Sequence, residues 1–177
     1  MSVQVKALVR KIEKDQKIDR LEEAFEKYDH FKLPIKALQN EIETAHKLRP
    51  IRTLKPHGPE FVNRVIDALL SDQATRSRLA EISLQAFRAE KTLETAISAL
   101  KDHLIVTYSA DLSMFKTKEE RLRIIDLVLA RYTTYQDKVI TIQNMTNIII
   151  KDIDQAAWSL KATIEALKMV GKPEAMI

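Results

Sequence analysis

Residues 117–169 read TKEERLRIIDLVLARYTTYQDKVITIQNMTNIIIKDIDQAAWSLKATIEALKM, without one glycine or proline. Apolar side chains recur at Leu122, Ile125, Leu129, Tyr132, Val139, Ile142, Ile149, Ile153, Ala156, Leu160 and Leu167. Polar Gln136, Thr146 and Thr163 fill the slots between them. Steps of three and four put all of these on one side of an α-helix, whereas a half-buried strand alternates every second residue. Unbroken, the helix spans about 80 Å at 1.5 Å per residue. Thr117 and Glu120 have the spacing of a capping box, in which each side chain satisfies the other's backbone amide. Lys168, Gly171 and Pro173 supply a basic last turn, a left-handed cap and a stop.

The seam shifts phase between Val139 and Ile142, where two steps of three follow each other and overwind the helix locally. Around that point Val139, Ile140, Ile142, Met145, Ile148, Ile149, Ile150 and Ile153 cover more than one stripe. A helix apolar on so many sides needs more than one packing partner. The first expectation is an internal bundle core. The second is a subunit interface, with Ile148, Ile150 and Trp158 as its candidate residues. Trp158 lies off the seam, and the N-terminal helices are expected to pack over it.

Moving outward, Ser109–Lys116 reads as a turn, and residues 60–108 as the other arm of an antiparallel helical hairpin. Val62, Val65, Ile66, Leu69 and Leu70 supply the first apolar face of that arm. Leu79, Ile82, Ala86, Ala89, Leu93, Ala96, Leu100 and His103 continue it, the alanines allowing close approach of a bulky partner. In register, Asp72 and Arg76 fall into the seam. They either pair at i,i+4 in an unbroken helix, or Ser71 and Asp72 cap a fresh one; the break is the expectation. Counted from the turn, residues 73–108 pair with 117–152. That leaves 153–169 to be covered by 60–71, by the N-terminal helices or by another chain.

Val5, Leu8, Val9 and Ile12, then Ile18, Leu21, Phe25 and Tyr28, predict a helical N-terminus that is interrupted near Lys14–Lys17. Leu33 precedes a proline and is pushed out of the helical region, while Pro34 itself suits the start of the next helix. Ile35, Leu38, Ile42 and Ala45 give that helix its face before Pro50 ends it. The expected class is therefore all-α. A helical pair at 1–48, a basic connector at 49–59 and a long hairpin at 60–177 would form one folded unit.

The connector, RPIRTLKPHGP at 49–59, holds three prolines, and no carboxylate occurs between Glu43 and Glu60. Lys47, Arg49, Arg52 and Lys55 form a local positive patch. Such a loop is first a solvated link. Its sharper reading is a contact for phosphates or for an acidic partner.

The chain carries 29 Lys and Arg against 25 Asp and Glu, a net charge of +4, with 45% apolar residues and only 2 glycines and 5 prolines. So little glycine and proline disfavours hairpin-rich sheets. The absence of cysteine excludes disulfides and thiolate chemistry. No apolar run approaches the roughly 20 residues that span a bilayer, and the N-terminus lacks a signal-peptide core. A soluble protein of the cell interior, or of a particle assembled there, is expected.

Chemistry-bearing motifs are scarce. Two glycines cannot build a P-loop or a dinucleotide fingerprint. Glu43 and His46 have Glu-x-x-His spacing, but a di-iron bundle needs that motif twice with two further carboxylates. His103 reads as a hydrogen-bonded residue near the hairpin end, and Asp152 and Asp154 as solvent-facing flanks of Ile153. Lys116, Lys118, Arg121 and Arg123, with Arg76, Arg78 and Arg88, read as the mixed charge of a solvated face. No catalytic residue, metal or cofactor is expected, and enzyme is the least favoured class.

The pentapeptide Lys118-Glu119-Glu120-Arg121-Leu122 opens the long helix, and Ser159-Leu160-Lys161-Ala162-Thr163-Ile164-Glu165 lies near its end. Together they resemble the C-terminal part of the recombination-mediator proteins of T4-like phages. The likeness covers at most the last third of the chain. It implies an all-helical, oligomeric protein that assists recombinase loading on single-stranded DNA, and it carries no residue roles across. The expected function is a non-enzymatic assembly, structural or adaptor protein. It would act through helix-face protein contacts, as a homo-oligomer or as a component of a larger viral or phage-like particle. Nucleic-acid binding through Lys47, Arg49, Arg52 and Lys55 is the second reading.

Overall fold

The computed structural model describes residues 3–28, 31–53 and 60–170, with side chains described for 3–28, 31–51 and 60–165. Helices are α1 (Val3–Ile12), α2 (Gln16–Lys27), α3 (Ile35–Lys47), α4 (Phe61–Thr107), α5 (Ser109–Leu112) and α6 (Lys118–Val170). A 3-10 turn covers Pro50–Thr53, and no strand occurs among the described residues. The protein is all-α: α4 packs against α6 as the arms of a hairpin, and the shorter N-terminal helices join them. Lys101 meets Asp126 at 2.7 Å, and Arg76 meets Asp154 at 2.7 Å. Both contacts fall within about two helical turns of the pairing counted from the sequence.

Two compact units divide the chain: Met1–Ile35 with Leu84–Ile142, and Lys36–Ser83 with Gln143–Ile177. By contact, α1 and α2 belong to the first unit and α3 to the second.

In the first unit, α1 stops at Ile12 because Asp15 caps the next helix. Its carboxylate accepts the Lys17 N–H at 2.8 Å from an extended backbone conformation. Leu8, Ile12 and Ile18 are buried with Leu93, Leu100, Leu104, Ile125 and Leu129. Phe25 sits among Phe31, Tyr132 and Tyr135, with ring centroids 5.1, 5.4 and 5.7 Å away. The Tyr135 hydroxyl accepts from the Leu33 N–H and donates to the Leu33 carbonyl, so the backbone ahead of Pro34 is satisfied by a side chain. Burial, with the Glu22 carboxylate nearby, pushes the Tyr132 phenol up to about 12. The expected turn contains α5, whose Leu112 is buried. The capping box forms: the Thr117 hydroxyl accepts from the Glu120 N–H at 3.1 Å, and Glu120 accepts from the Thr117 N–H at 3.3 Å.

In the second unit, α3 buries Leu38 and Ile42, and Arg78 holds Glu41 bidentately at 2.6 and 3.2 Å. The break expected at Ser71–Asp72 does not occur, since α4 is unbroken from Phe61 to Thr107. Val65, Ala68, Asp72, Leu79 and Ile82 are buried in one continuous helical register. Asp72 keeps its place there because Arg49 neutralises it, and it caps nothing. Arg76 pairs with Asp154. Thr146, the polar seam residue, is fully buried and donates to the Gln143 carbonyl at 2.8 Å. From Ala156 to Glu165 no side chain is fully buried.

Candidate functional site

Three places gather side chains that chemistry or recognition can use. The first is in the second unit, where the sequence predicted an exposed basic patch. Arg49 is instead turned inward, its side chain 1% exposed. Nε and Nη2 donate to the two Asp72 carboxylate oxygens at 3.1 and 2.7 Å, and Nη1 donates to Asp152. Hydrogen bonding to Asp72 raises the guanidinium pKa above its ordinary value against the opposing effect of burial. In sequence, no carboxylate lies between Glu43 and Glu60. The two that neutralise Arg49 come from α4 and α6.

Of the other candidates in that patch, Lys47 is exposed and lies 3.7 Å from Glu43. Arg52 belongs to the 3-10 turn, with its side chain outside those described, and Lys55 lies outside the described residues. Arg49, being buried, therefore does not share a surface patch with exposed Lys47. Asp152 and Asp154 do not simply face solvent, as expected. Each holds an arginine, and Arg76 holds the Asp154 carboxyl below its ordinary range. His46 Nδ1 is 3.9 Å from Asp152, and Glu43 faces Lys47. Among the described residues no three His, Asp or Glu converge as metal ligands.

The second place is in the first unit. His103 Nε2 lies 3.3 Å from both Asp15 oxygens, and the Tyr108 hydroxyl donates to Asp15 at 3.1 Å. Burial opposes ionisation of Asp15. The Lys17 amide, Tyr108 and His103 outweigh it and hold the carboxyl below its ordinary value. The Thr107 hydroxyl completes what looks like a hydroxyl–imidazole–carboxylate series, 3.3 Å from Nδ1 and 3.5 Å from Nε2. An oxygen nearly equidistant from both ring nitrogens lies along neither lone pair. It is not placed to pass its proton to a general base, which needs a directed contact to one nitrogen. The cluster ties the α1–α2 break to the end of α4, as expected of a hydrogen-bonded His103.

The third place is a set of exposed apolar side chains on the second unit. Trp158 is 73% exposed, not covered by N-terminal helices as expected, and Lys161 Nζ stands 5.6 Å from its ring centroid. Ile148 is 66% exposed, and Ile150 is half-buried. The sequence assigned Val62, Ile66 and Leu70 to the core face of their helix. They are exposed at 62%, 49% and 65%. Spaced four residues apart, they form a short row on α4 turned away from buried Val65, Ala68 and Asp72. The signal was a first turn with more apolar residues than one stripe accommodates.

These features define an all-α helical-bundle protein with a neutralised internal charge node and an uncovered apolar row. No family model, curated protein or solved structure matches the chain.

Proposed function

We propose that this chain is an assembly or adaptor protein that acts through its helix faces, by association with a second copy of itself or within a larger particle. The observation that carries this reading is the exposed row Val62, Ile66 and Leu70 on α4, with Ile148 and Trp158 exposed on α6 of the same unit. Exposed apolar rows on helices are where soluble proteins meet partners, and tryptophan is enriched among the residues that dominate such contacts. Neighbouring polar groups are already committed: Arg49, Arg76 and Arg78 are each held by carboxylates of the same chain.

The test pairs Ile66→Glu with Leu70→Glu and reads the mass by light scattering beside the melting temperature. Both positions are exposed, so the reading expects a smaller assembly with an unchanged melt. A mass unaltered by both substitutions contradicts it. Nucleic-acid binding through the 47–57 loop is weakened as a reading, because Arg49 is occupied by Asp72 and Asp152. Binding of single-stranded DNA that falls steeply with salt and weakens in Lys47→Gln would restore it.

A further inference from the structure

At the end of the hairpin in the first unit, α4, α5 and the first two turns of α6 line a pocket of about 180 Å³ that opens to solvent. Ile105, Leu112, Leu122 and Ile125 form its apolar wall, and Ser109, Lys118 and Arg121 complete the lining. Lys118, Arg121, Leu122 and Ile125 follow i, i+3, i+4, i+7 spacing, so one face of α6 carries both cations and half of the apolar wall. Arg121 is anchored: its Nε donates to the Phe115 carbonyl at 2.8 Å. That bond fixes the guanidinium plane, and among the described residues neither Nη has an acceptor. Lys118 makes no ion pair among the described residues either. The acids of the same turns do not neutralise them. Helical periodicity sets Glu119 about 110° and Glu120 about 150° around α6 from the centre of that face, and Glu120 is engaged in the capping box. Asp111 is taken by Lys11, and Asp126 by Lys101.

Size selects the occupant. Sites for whole small molecules enclose about 300–1,000 Å³, whereas a cavity of about 150 Å³ takes one benzene ring. This pocket is therefore matched to a single apolar side chain, and a guanidinium with two free Nη groups is matched to a carboxylate. We infer that the hairpin-end pocket is an anchor site for an acidic segment of a partner protein. The segment would insert one leucine- or phenylalanine-sized side chain between Ile105 and Leu122, above buried Leu112 and Ile125, with a flanking carboxylate on Arg121 and Lys118. The inference goes beyond the assembly reading and uses residues of the other unit, so either can fail alone.

The test uses the full chain with methyl-labelled isoleucine and an acetylated, amidated peptide, Asp-Glu-Leu-Glu-Asp, observed by NMR. The methyl signals of Ile105 and Ile125 are expected to shift and saturate, while those of Ile42 and Ile149 stay fixed. Replacing the acids with Asn and Gln, or the leucine with alanine, should weaken binding at least about tenfold. Arg121→Gln should do the same, and exposed Lys118→Gln should weaken binding several-fold with the rest of the methyl spectrum unchanged. The inference is overturned if those two methyls do not move, or if the neutral peptide binds as tightly as the acidic one. It is also overturned if Lys118→Gln and Arg121→Gln both leave the affinity intact. Hexanoate alone matching the peptide would assign the pocket to small carboxylic acids and overturn the partner reading too.

Discussion

Arg49 follows a helix end and precedes a proline, a setting in which a cation normally faces water. Here it crosses to Asp72 and Asp152 and is almost fully enclosed. Removing one member of a buried pair leaves the other charge without compensation, and that costs more than the pair contributes when intact. Arg49→Ala is therefore expected to destabilise the fold by about 3 kcal/mol in denaturant melts. Arg49→Met combined with Asp72→Leu should recover most of that loss, since apolar replacement of a whole buried pair is often neutral. A double variant no better than the single one would mean that Asp152 and the loop, not the buried charge, dominate. At the other node, against the opposing effect of burial, the Lys17 amide, Tyr108 and His103 hold the folded-state pKa of Asp15 below the ordinary carboxylate value. For a depressed acid the stabilisation is complete above the unfolded value and disappears as pH falls through the folded one. Stability should thus drop below about pH 4 partly through Asp15. Asp15→Asn, which keeps a capping acceptor, should show a shallower acid limb in a pH series of melts.

Elements whose signals are local were legible in the sequence. The α1–α2 break follows from the spacing lost near Lys14–Lys17, and the start of α6 from the capping box of Thr117 and Glu120, which acts within one turn. Thr117→Ala is expected to cost about 1 kcal/mol by removing the hydroxyl that receives the Glu120 amide. The α6 seam was also legible: Val139, Ile142, Ile149 and Ile153 are buried as expected. Ile149→Ala should destabilise by about 2–5 kcal/mol, the range for truncating a buried isoleucine; a melt identical to that of the unmodified protein would place Ile149 outside the core. What stayed illegible depends on distant partners. Asp72 in an apolar seam looked like a cap because its arginine is 23 residues away. Asp152 is 44% exposed, as a solvent-facing residue should be, but its arginine lies 103 residues away and gives no local signal.

For the molecule as a whole, the class and the hairpin followed from periodicity and from the scarcity of glycine and proline. The uncovered surface did not. Periodicity shows that a helix has an apolar stripe, but it does not tell which of two stripes a neighbour covers, and in the first turns of α4 the row 62–66–70 is the one left outside. Trp158 illustrates the same limit, since a large aromatic residue is counted as core until its neighbours are known. Sedimentation equilibrium of the unmodified chain from low to high micromolar concentration tests the helix-face account most directly. The account predicts a mass that is a multiple of 20.4 kDa or that rises toward one with concentration. A single species of 20.4 kDa across the whole range would contradict self-association.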